Sequence, residues 1–268
     1  MQIGLMEGTI RRKTLGETLD AIVEHGVYHL QYHVSASAPP LAEIRKALDA
    51  RQINVAALSG TYNMIHPDVQ KRHDGLNMLR SVAAACEPLG TSVITLCTGS
   101  RDADSMWRAH PDNNTESAWR ALVDSMAQAL EVAETYNVTL AIEPEVANVV
   151  DSAKKARRLI DEMQSPHLKV VMDGANIFHK GELPRMREIL DEAFALLGED
   201  IALAHAKDLD RDGQAGHLAA GTGLLDYEQY LGLFKQVGYE GAVVLHGLSE
   251  AQVPFCTDFL REKISALQ

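Results

Sequence analysis

Four side chains that could bind one metal ion stand at the ends of four apolar runs in the second half of the sequence. They are Glu143, Asp173, His205 and His246. The runs that precede them are Val138–Ile142, Leu168–Met172, Ile201–Ala204 and Ala242–Leu245. Two carboxylates and two imidazoles suit a divalent ion. Each residue alone is also explained by a structural ion pair or a structural histidine, but the four together predict a metal-dependent enzyme.

The elements that must bring these ends together alternate along the whole chain. Strand-like runs are Gln2–Met6, Tyr28–His33, Asn54–Leu58, Ser92–Cys97, Val138–Glu143, Leu168–Asp173, Ile201–Ala206 and Ala242–His246. Apolar positions spaced by three and four residues predict helices at Thr14–His25, Leu41–Arg51, Val69–Leu89, Glu116–Tyr136, Ser152–Met163, Leu183–Leu197, Tyr227–Val237 and Val253–Leu267. This alternation predicts a parallel sheet closed into a (β/α)8 TIM barrel, in which residues just past the strands share one mouth. The structural alternative is an open doubly wound sheet. The sequence disfavours it, because no GxGxxG motif follows the first strand.

Length and composition fit a single domain spanning residues 1–268. The chain has 268 residues, close to the usual barrel size of about 250, and no linker or repeat interrupts it. The net charge of −12 disfavours a large nucleic-acid interface but not a small phosphate pocket. Because no apolar run reaches the ~20 residues of a membrane span and the start does not resemble a signal peptide, we expect a cytoplasmic protein without a membrane partner.

The cysteine content predicts neither disulfides nor a zinc knuckle. The three cysteines are Cys86, Cys97 and Cys256, an odd number without a CxxC spacing. We therefore expect reduced and mostly buried thiols.

Two strand-to-helix connections are long enough to be functional. They span Ser59–Asp68 and Thr98–Thr115 and leave the same side of the sheet as the metal candidates. His66 in the first is a candidate for substrate binding. Trp107, with Arg108 and His110 nearby, could form a lid in the second. The alternative is that Trp107 simply packs its loop onto the barrel rim.

Further candidates follow the seventh strand. Lys207 could balance the charge of a substrate or of a ligand carboxylate, or it could form an ordinary ion pair at the rim. The glycine-rich segment GHLAAGTGLLDY contains His217, a second candidate for substrate binding. Its backbone N–H groups could close over the substrate, although a plain turn before the last helix explains the segment nearly as well.

These motifs resemble the xylose-isomerase-like barrel superfamily of sugar isomerases, epimerases and endonuclease IV. The matching motifs are IEP, DGAN, HAKD, GHLAAGTGLLDY and GYEGAVVLHG. The loops NMIHPD and CTGSRD to MWRAHPDN look like its sugar-phosphate isomerase/epimerase branch. The resemblance implies one divalent ion, most often manganese, with magnesium, cobalt or zinc as alternatives. It also implies that Glu143, Asp173, His205 and the residue at 246 are its ligands.

The resemblance has one main departure. In ketose epimerases such as D-tagatose 3-epimerase, glutamates occupy the first and last of the four places, flank the substrate carbon and exchange its proton. Here the last place is His246. Asn176 stands where those epimerases have a substrate-binding histidine, whereas Arg211 matches their substrate-binding arginine. We expect His246 to bind the ion through one nitrogen, with Glu250 as a candidate partner for the other.

The predicted function is a sugar or sugar phosphate isomerase/epimerase. It would remove a proton next to a carbonyl through a metal-stabilised enediolate, with Glu143 as base and His246 as the second acid/base or as a ligand only. A keto-polyol dehydratase at the same site, and a barrel that binds sugar or metal without catalysis, remain alternatives. An AP endonuclease is disfavoured because Asn176 and Ala215 stand where further zinc ligands are needed. The expected partner is a small sugar, and homo-oligomerisation stays open.

Overall fold

A closed barrel of eight parallel strands forms the centre of the computed structural model, which describes residues 1–35 and 37–267. The barrel strands are β1 Gln2–Met6, β2 His29–Tyr32, β3 Asn54–Ser59, β4 Val93–Cys97, β5 Thr139–Glu143, β6 Leu168–Asp173, β7 Ile201–Asp208 and β9 Ala242–Leu245. β9 pairs with both β7 and β1 and so closes the barrel. A short strand, β8 Leu218–Ala219, pairs antiparallel with the end of β7. The predicted (β/α)8 fold is confirmed.

Among the residues that the structure describes, eight helices surround the strands. They are α1 Leu15–Glu24, α2 Leu41–Asp49, α3 Val69–Leu89, α4 Glu116–Tyr136, α5 Ala153–Met163, α6 Met186–Leu197, α7 Tyr227–Gln236 and α8 Val253–Ala266. Side-chain caps fix several starts, as at Thr14 and Thr115. The predicted start of α6 at Leu183 is wrong, because Leu183–Arg185 form a separate 3-10 turn that contains Pro184. No helix among the described residues has the length and apolar character that crossing a bilayer requires.

Two apolar layers hold the barrel together. Leucine, isoleucine and aromatic side chains fill the space between the strands and the helices. The barrel interior holds a smaller cluster that includes Ala57, Ala141, Val171, Leu203 and Val244. Since side chains alternate between the two faces of a strand, the residue two places after an interior residue faces inward too. The four predicted metal ligands occupy those inward positions at the mouth, directly above the interior cluster.

The long connection between β4 and α4 is tied to its neighbours by asparagine side chains. Asn63 donates to the carbonyl of Ser100 at 2.7 Å and accepts from the amide of Ser100 at 3.1 Å. Asn113 donates to the carbonyl of Ala147 at 2.8 Å. These bonds give an irregular loop fixed backbone partners, so the connection is an ordered part of the mouth. The three cysteines are free and buried, as predicted.

Candidate metal centre

The strand-end donors converge at the mouth of the barrel. Asp173, His205 and His246 each offer a ligand atom, and these atoms lie within 4.8 Å of one another. We call these three residues the donor triad. The pairing of β6 with β7 sets Asp173 beside His205. Glu143 lies at its edge, with Oε2 3.5 Å from His205 Nδ1. The residues predicted from strand ends are therefore neighbours in space.

The donor triad also carries unpartnered polar atoms. Five buried side-chain nitrogen or oxygen atoms among the described residues have no hydrogen-bond partner, and three of them are Asp173 Oδ2, His205 Nδ1 and His246 Nδ1. Lys207 Nζ lies 3.1 Å from Asp173 Oδ2, an ion-pair distance. Buried polar atoms without a partner are costly. Two such imidazole nitrogens, gathered with a carboxylate oxygen that has only an ion pair, fit a site for a metal ion.

A glutamine inside the barrel orients His205. His205 Nε2 lies 2.8 Å from Gln31 Oε1. The amide nitrogen of Gln31 in turn donates to Ser59 Oγ at 3.1 Å and to Thr95 Oγ1 at 2.9 Å. Because His205 donates its Nε2–H to Gln31, Nδ1 is the ring nitrogen that faces Glu143 and Asp173. A hydrogen-bond partner on the other nitrogen orients a ligating histidine in the same way. The sequence analysis missed Gln31, whose signal is a polar residue within a buried strand.

Asn176 performs the same task for Glu143. Its side-chain amide donates to Glu143 Oε1 at 2.5 Å. Its carbonyl oxygen accepts from Lys207 Nζ at 3.0 Å and from the amide of Gly216 at 2.9 Å. Because both ends of the amide are used, Asn176 is fixed in orientation. It occupies one oxygen of Glu143 and leaves Oε2 turned toward His205.

The charges at the centre balance one another. Burial alone would raise the pKa of Glu143 and Asp173, but His205 and Lys207 outweigh it and hold both below their usual values. Burial would likewise lower the pKa of His205 and Lys207, and the two carboxylates raise both instead. His246 differs, since burial and the nearby cations lower its pKa to about 4. It is therefore a neutral imidazole at neutral pH.

The glycine-rich segment after β7 is organised by Asp208. This buried carboxylate accepts hydrogen bonds of 2.9 to 3.0 Å from four backbone amides, those of Leu209, Gly221, Gly223 and Leu225. A Cβ atom at Gly223 would lie 2.4 Å from Asp208 Oδ1, which explains the glycine. Asp208 therefore uses the N–H groups of Gly221 and Gly223. Closure of other N–H groups of this segment over a substrate stays a prediction.

A second buried carboxylate lies two residues after Glu143. Glu145 accepts from the amide of Ala147 at 3.0 Å and from the side chain of Asn148 at 2.6 Å. Asn148 also accepts from the amide of Gly99 at 2.6 Å, which links this strand end to the β4–α4 connection. No cation forms a salt bridge with Glu145 among the described residues, and burial raises its pKa to about 7. The sequence analysis did not single out this residue.

Two predicted substrate contacts lie in the long connections. Both ring nitrogens of His66 are used, since Nδ1 accepts from the amide of Asp68 at 3.0 Å and Nε2 lies 3.1 Å from the carbonyl of Ala103. His66 therefore links the two connections. Trp107 is 57% exposed, so it does not pack tightly onto the rim.

Three further predicted residues, Arg211, His217 and Glu250, also lie apart from the centre, whereas Asn176 and Lys207 belong to it. Arg211 Nε and His217 Nε2 approach Asp210 Oδ1, at 3.8 and 3.3 Å. Glu250 forms a salt bridge with Arg12, so the prediction that it partners His246 is wrong. In the described part of the chain, neither Arg211 nor His217 makes a hydrogen bond or ion pair with the donor triad. The structure thus separates two regions of the barrel mouth. The centre consists of Glu143, the donor triad, Lys207 and Asn176, which contact one another, and the rim consists of Trp107, Arg211 and His217 in the loops.

The sequence matches a known protein family and a curated relative. The family model described as xylose isomerase-like TIM barrel matches residues 19–254. A curated relative, L-ribulose-5-phosphate 3-epimerase UlaE of Shigella flexneri serotype 5b (strain 8401), is 24% identical over 189 residues. That match covers 70% of this chain and 61% of the relative, so the chain matches about three fifths of that protein's length.

Three solved structures share the fold. A D-tagatose 3-epimerase-like protein superposes with a TM-score of 0.82 at 14% identity, covering 100% of this chain and 98% of the other. The IolI protein with a bound zinc atom gives 0.78 at 16% identity, with 100% and 99% covered. A xylose isomerase-like barrel of Mycobacterium smegmatis in complex with magnesium gives 0.75 at 16% identity, with 100% and 97% covered.

Proposed function

We propose that this chain, which belongs to the xylose isomerase-like TIM barrel family, is a metal-dependent sugar or sugar phosphate isomerase/epimerase. The observation that carries the proposal is the donor triad with its three buried atoms that lack a hydrogen bond. The triad lies beside Glu143, which has one oxygen bonded to Asn176 and the other turned toward His205. The epimerase relative and the D-tagatose 3-epimerase-like structure support the choice of a sugar as substrate.

The donor triad would hold one divalent ion, with Glu143 as a fourth ligand or as its neighbour. Such an ion acts as a Lewis acid on a carbonyl oxygen, and manganese is the ion that the family resemblance predicts. The zinc and magnesium structures of the same fold support a divalent ion of some kind. Gln31 and Asn176 would keep His205 and Glu143 in place, and Asn176 stays a proposed substrate contact as well.

Glu143 is the proposed base. Oε2 would take the proton from the carbon next to the carbonyl, while Asn176 keeps Oε1 bonded and fixes the direction of attack. The ammonium group of Lys207 lies 3.9 Å from Glu143 Oε1 and 3.1 Å from Asp173 Oδ2. It would balance part of the negative charge that develops on the enediolate oxygens. The rim residues Trp107, Arg211 and His217, and His66 beneath them, are the proposed contacts for the rest of the sugar.

The fate of the proton distinguishes the reactions. Return from the opposite face by His246 would give epimerisation, and return to the adjacent carbon would give isomerisation. His246 belongs to the donor triad, and a nitrogen bound to a metal ion carries no proton. In that case Glu143 is the single base, which favours isomerisation or, as a second candidate, loss of a β-hydroxyl group by a dehydratase.

Exchange of substrate hydrogen with solvent tests this function. We expect the metal-loaded protein to incorporate deuterium from D2O next to the carbonyl of one member of a panel of ketoses and ketose phosphates, observed by NMR. Glu143→Gln should lose the exchange by at least about 100-fold, as is usual for a general base. Glu240→Gln, an exposed glutamate before β9, is the matched control and should keep it. A folded protein that exchanges no member of the panel would contradict the proposal, and so would a fully active Glu143→Gln.

A further inference from the structure

The donor triad contains two imidazoles where the family resemblance leads us to expect one. With a glutamate at position 246, the four ligand positions would supply three carboxylates and one imidazole. With His246 they supply two of each, Glu143 included. The exchange removes one negative charge from the site and replaces an oxygen donor with a nitrogen donor.

The geometry puts this second imidazole in the site and not beside it. β9 pairs with β7 so that Val244 lies opposite His205, and His246 follows two residues later on the same inward face. The two imidazole rings lie 5.3 Å apart between centroids and are inclined by only 25°. Nδ1 of each ring is buried and has no hydrogen-bond partner in the part of the chain that the structure describes. Both rings therefore present a nitrogen to the same space.

Nitrogen and oxygen donors prefer different ions. Imidazole suits zinc, iron, nickel and copper, whereas carboxylate oxygen suits magnesium, calcium and manganese. A hard ion such as Mg²⁺ also depends strongly on negative charge and on an oxygen-rich shell. From the two imidazoles we infer that His246 sets the ion selectivity of this site, favouring a later first-row ion such as Zn²⁺ or Co²⁺ over Mn²⁺ and Mg²⁺. This inference rests on the metal centre of the proposed function.

The test compares ion affinities and needs no substrate. Metal-free protein is titrated with the chlorides of zinc, cobalt, manganese and magnesium in competition with a chromophoric chelator. The variants are His246→Glu, which restores a carboxylate, and His246→Gln, which keeps a polar side chain without an imidazole. His73→Glu, an exposed change on α3, is the matched control for added charge. Circular dichroism establishes that each variant is folded.

Because most sites of nitrogen and oxygen donors prefer zinc to manganese, the change in the zinc-to-manganese affinity ratio is the decisive quantity. We expect His246→Glu to lower this ratio by at least about tenfold, which corresponds to about 1.4 kcal/mol. His246→Gln should weaken zinc binding, and His73→Glu should change nothing.

An unchanged ratio in folded His246→Glu, or full zinc affinity in folded His246→Gln, would overturn the inference while leaving the metal centre intact. A folded wild-type protein that binds none of the four ions would overturn the metal centre of the proposed function itself.

Discussion

The centre and the rim of the barrel mouth are built in different ways. At the centre, Glu143, Asp173 and Lys207 are almost fully buried, and each of these three charged groups has a counter-charge within 4 Å. At the rim, Trp107 is 57% exposed and Arg211 forms an ion pair with the adjacent Asp210, which is itself exposed. The centre is fixed by the strands, whereas the rim depends on loops.

This difference separates two parts of one activity. Strand ends hold the atoms that would bind the ion and remove the proton, and their positions follow from the register of the barrel. The rim can change its side chains without disturbing that register, so it is where discrimination between sugars would reside. If this division holds, substitutions of the buried strand-end residues and their partners should alter the stability of the fold or the rate of the chemical step. Substitutions at the rim should alter only substrate affinity.

The largest effect that separates the two regions should come from Glu145, the buried carboxylate two residues after Glu143. Its pKa is raised to about 7, chiefly by burial, from an ordinary value of 4.5 in the unfolded chain. Between these values the folded protein binds more protons than the unfolded one, so the free energy of unfolding falls as the pH rises. Each pKa unit corresponds to about 1.4 kcal/mol, and we expect Glu145 to remove at most about 3 kcal/mol between pH 4.5 and pH 8.

Urea denaturation of the metal-free protein at several pH values, with Glu145→Gln as the comparison, measures this effect. The variant should lose stability less steeply toward pH 8 than the wild type. His205 and His246, whose pKa values also differ between the folded and the unfolded chain, contribute to the pH dependence of both proteins. The difference between the two curves therefore isolates Glu145. Parallel curves would mean that the folded protein does not raise the pKa of this carboxylate.

The next effect compares two nearby aspartates, Asp208, which is buried at the end of β7, and Asp210, which is exposed at the rim. Asp208 accepts from four backbone amides, whereas Asp210 is half exposed and pairs with Arg211 and His217. In Asp208→Asn the amide group would face N–H donors and leave some of them without an acceptor. We expect a loss of about 2 kcal/mol in the free energy of unfolding, typical of an unsatisfied buried group.

Asp210→Asn is the matched control, and it should cost less than about 0.5 kcal/mol because exposed ion pairs contribute little. Chemical denaturation of both variants under the same conditions gives the comparison. Equal losses would show that the glycine-rich segment is not held by Asp208, and the distinction between centre and rim would fail at this loop.

The sequence predicted the strand ends better than it predicted the contacts between them. Glu143, Asp173, His205 and His246 each follow an apolar run, and a closed parallel barrel brings such ends together. The partners that orient them leave no such local pattern. Gln31 and His205 are 174 residues apart in the chain, and Asn176 and Glu143 are 33 apart.

Loop contacts were the hardest part to predict. The glycine-rich segment is recognisable in the sequence, but its pattern fits amides that close over a substrate nearly as well as a plain turn. Nothing local indicates that Asp208 accepts from these amides. The same holds for Glu250, whose bond to Arg12 joins residues 238 positions apart. Regular elements follow from periodicity, whereas side-chain partners across loops depend on the complete packing.

The smallest structural effect is expected at Trp107, and it tests the rim most directly. Because this side chain is 57% exposed, Trp107→Ala should change the free energy of unfolding by less than about 0.5 kcal/mol. If the indole contacts the sugar, the substitution should raise KM by about threefold to tenfold with kcat unchanged, the pattern of lost uniform binding. Tyr136→Ala, an exposed aromatic at the end of α4, is the control and should leave both constants unchanged. A fall in kcat would instead place Trp107 in the chemistry, and unchanged kinetics would remove it from the substrate site.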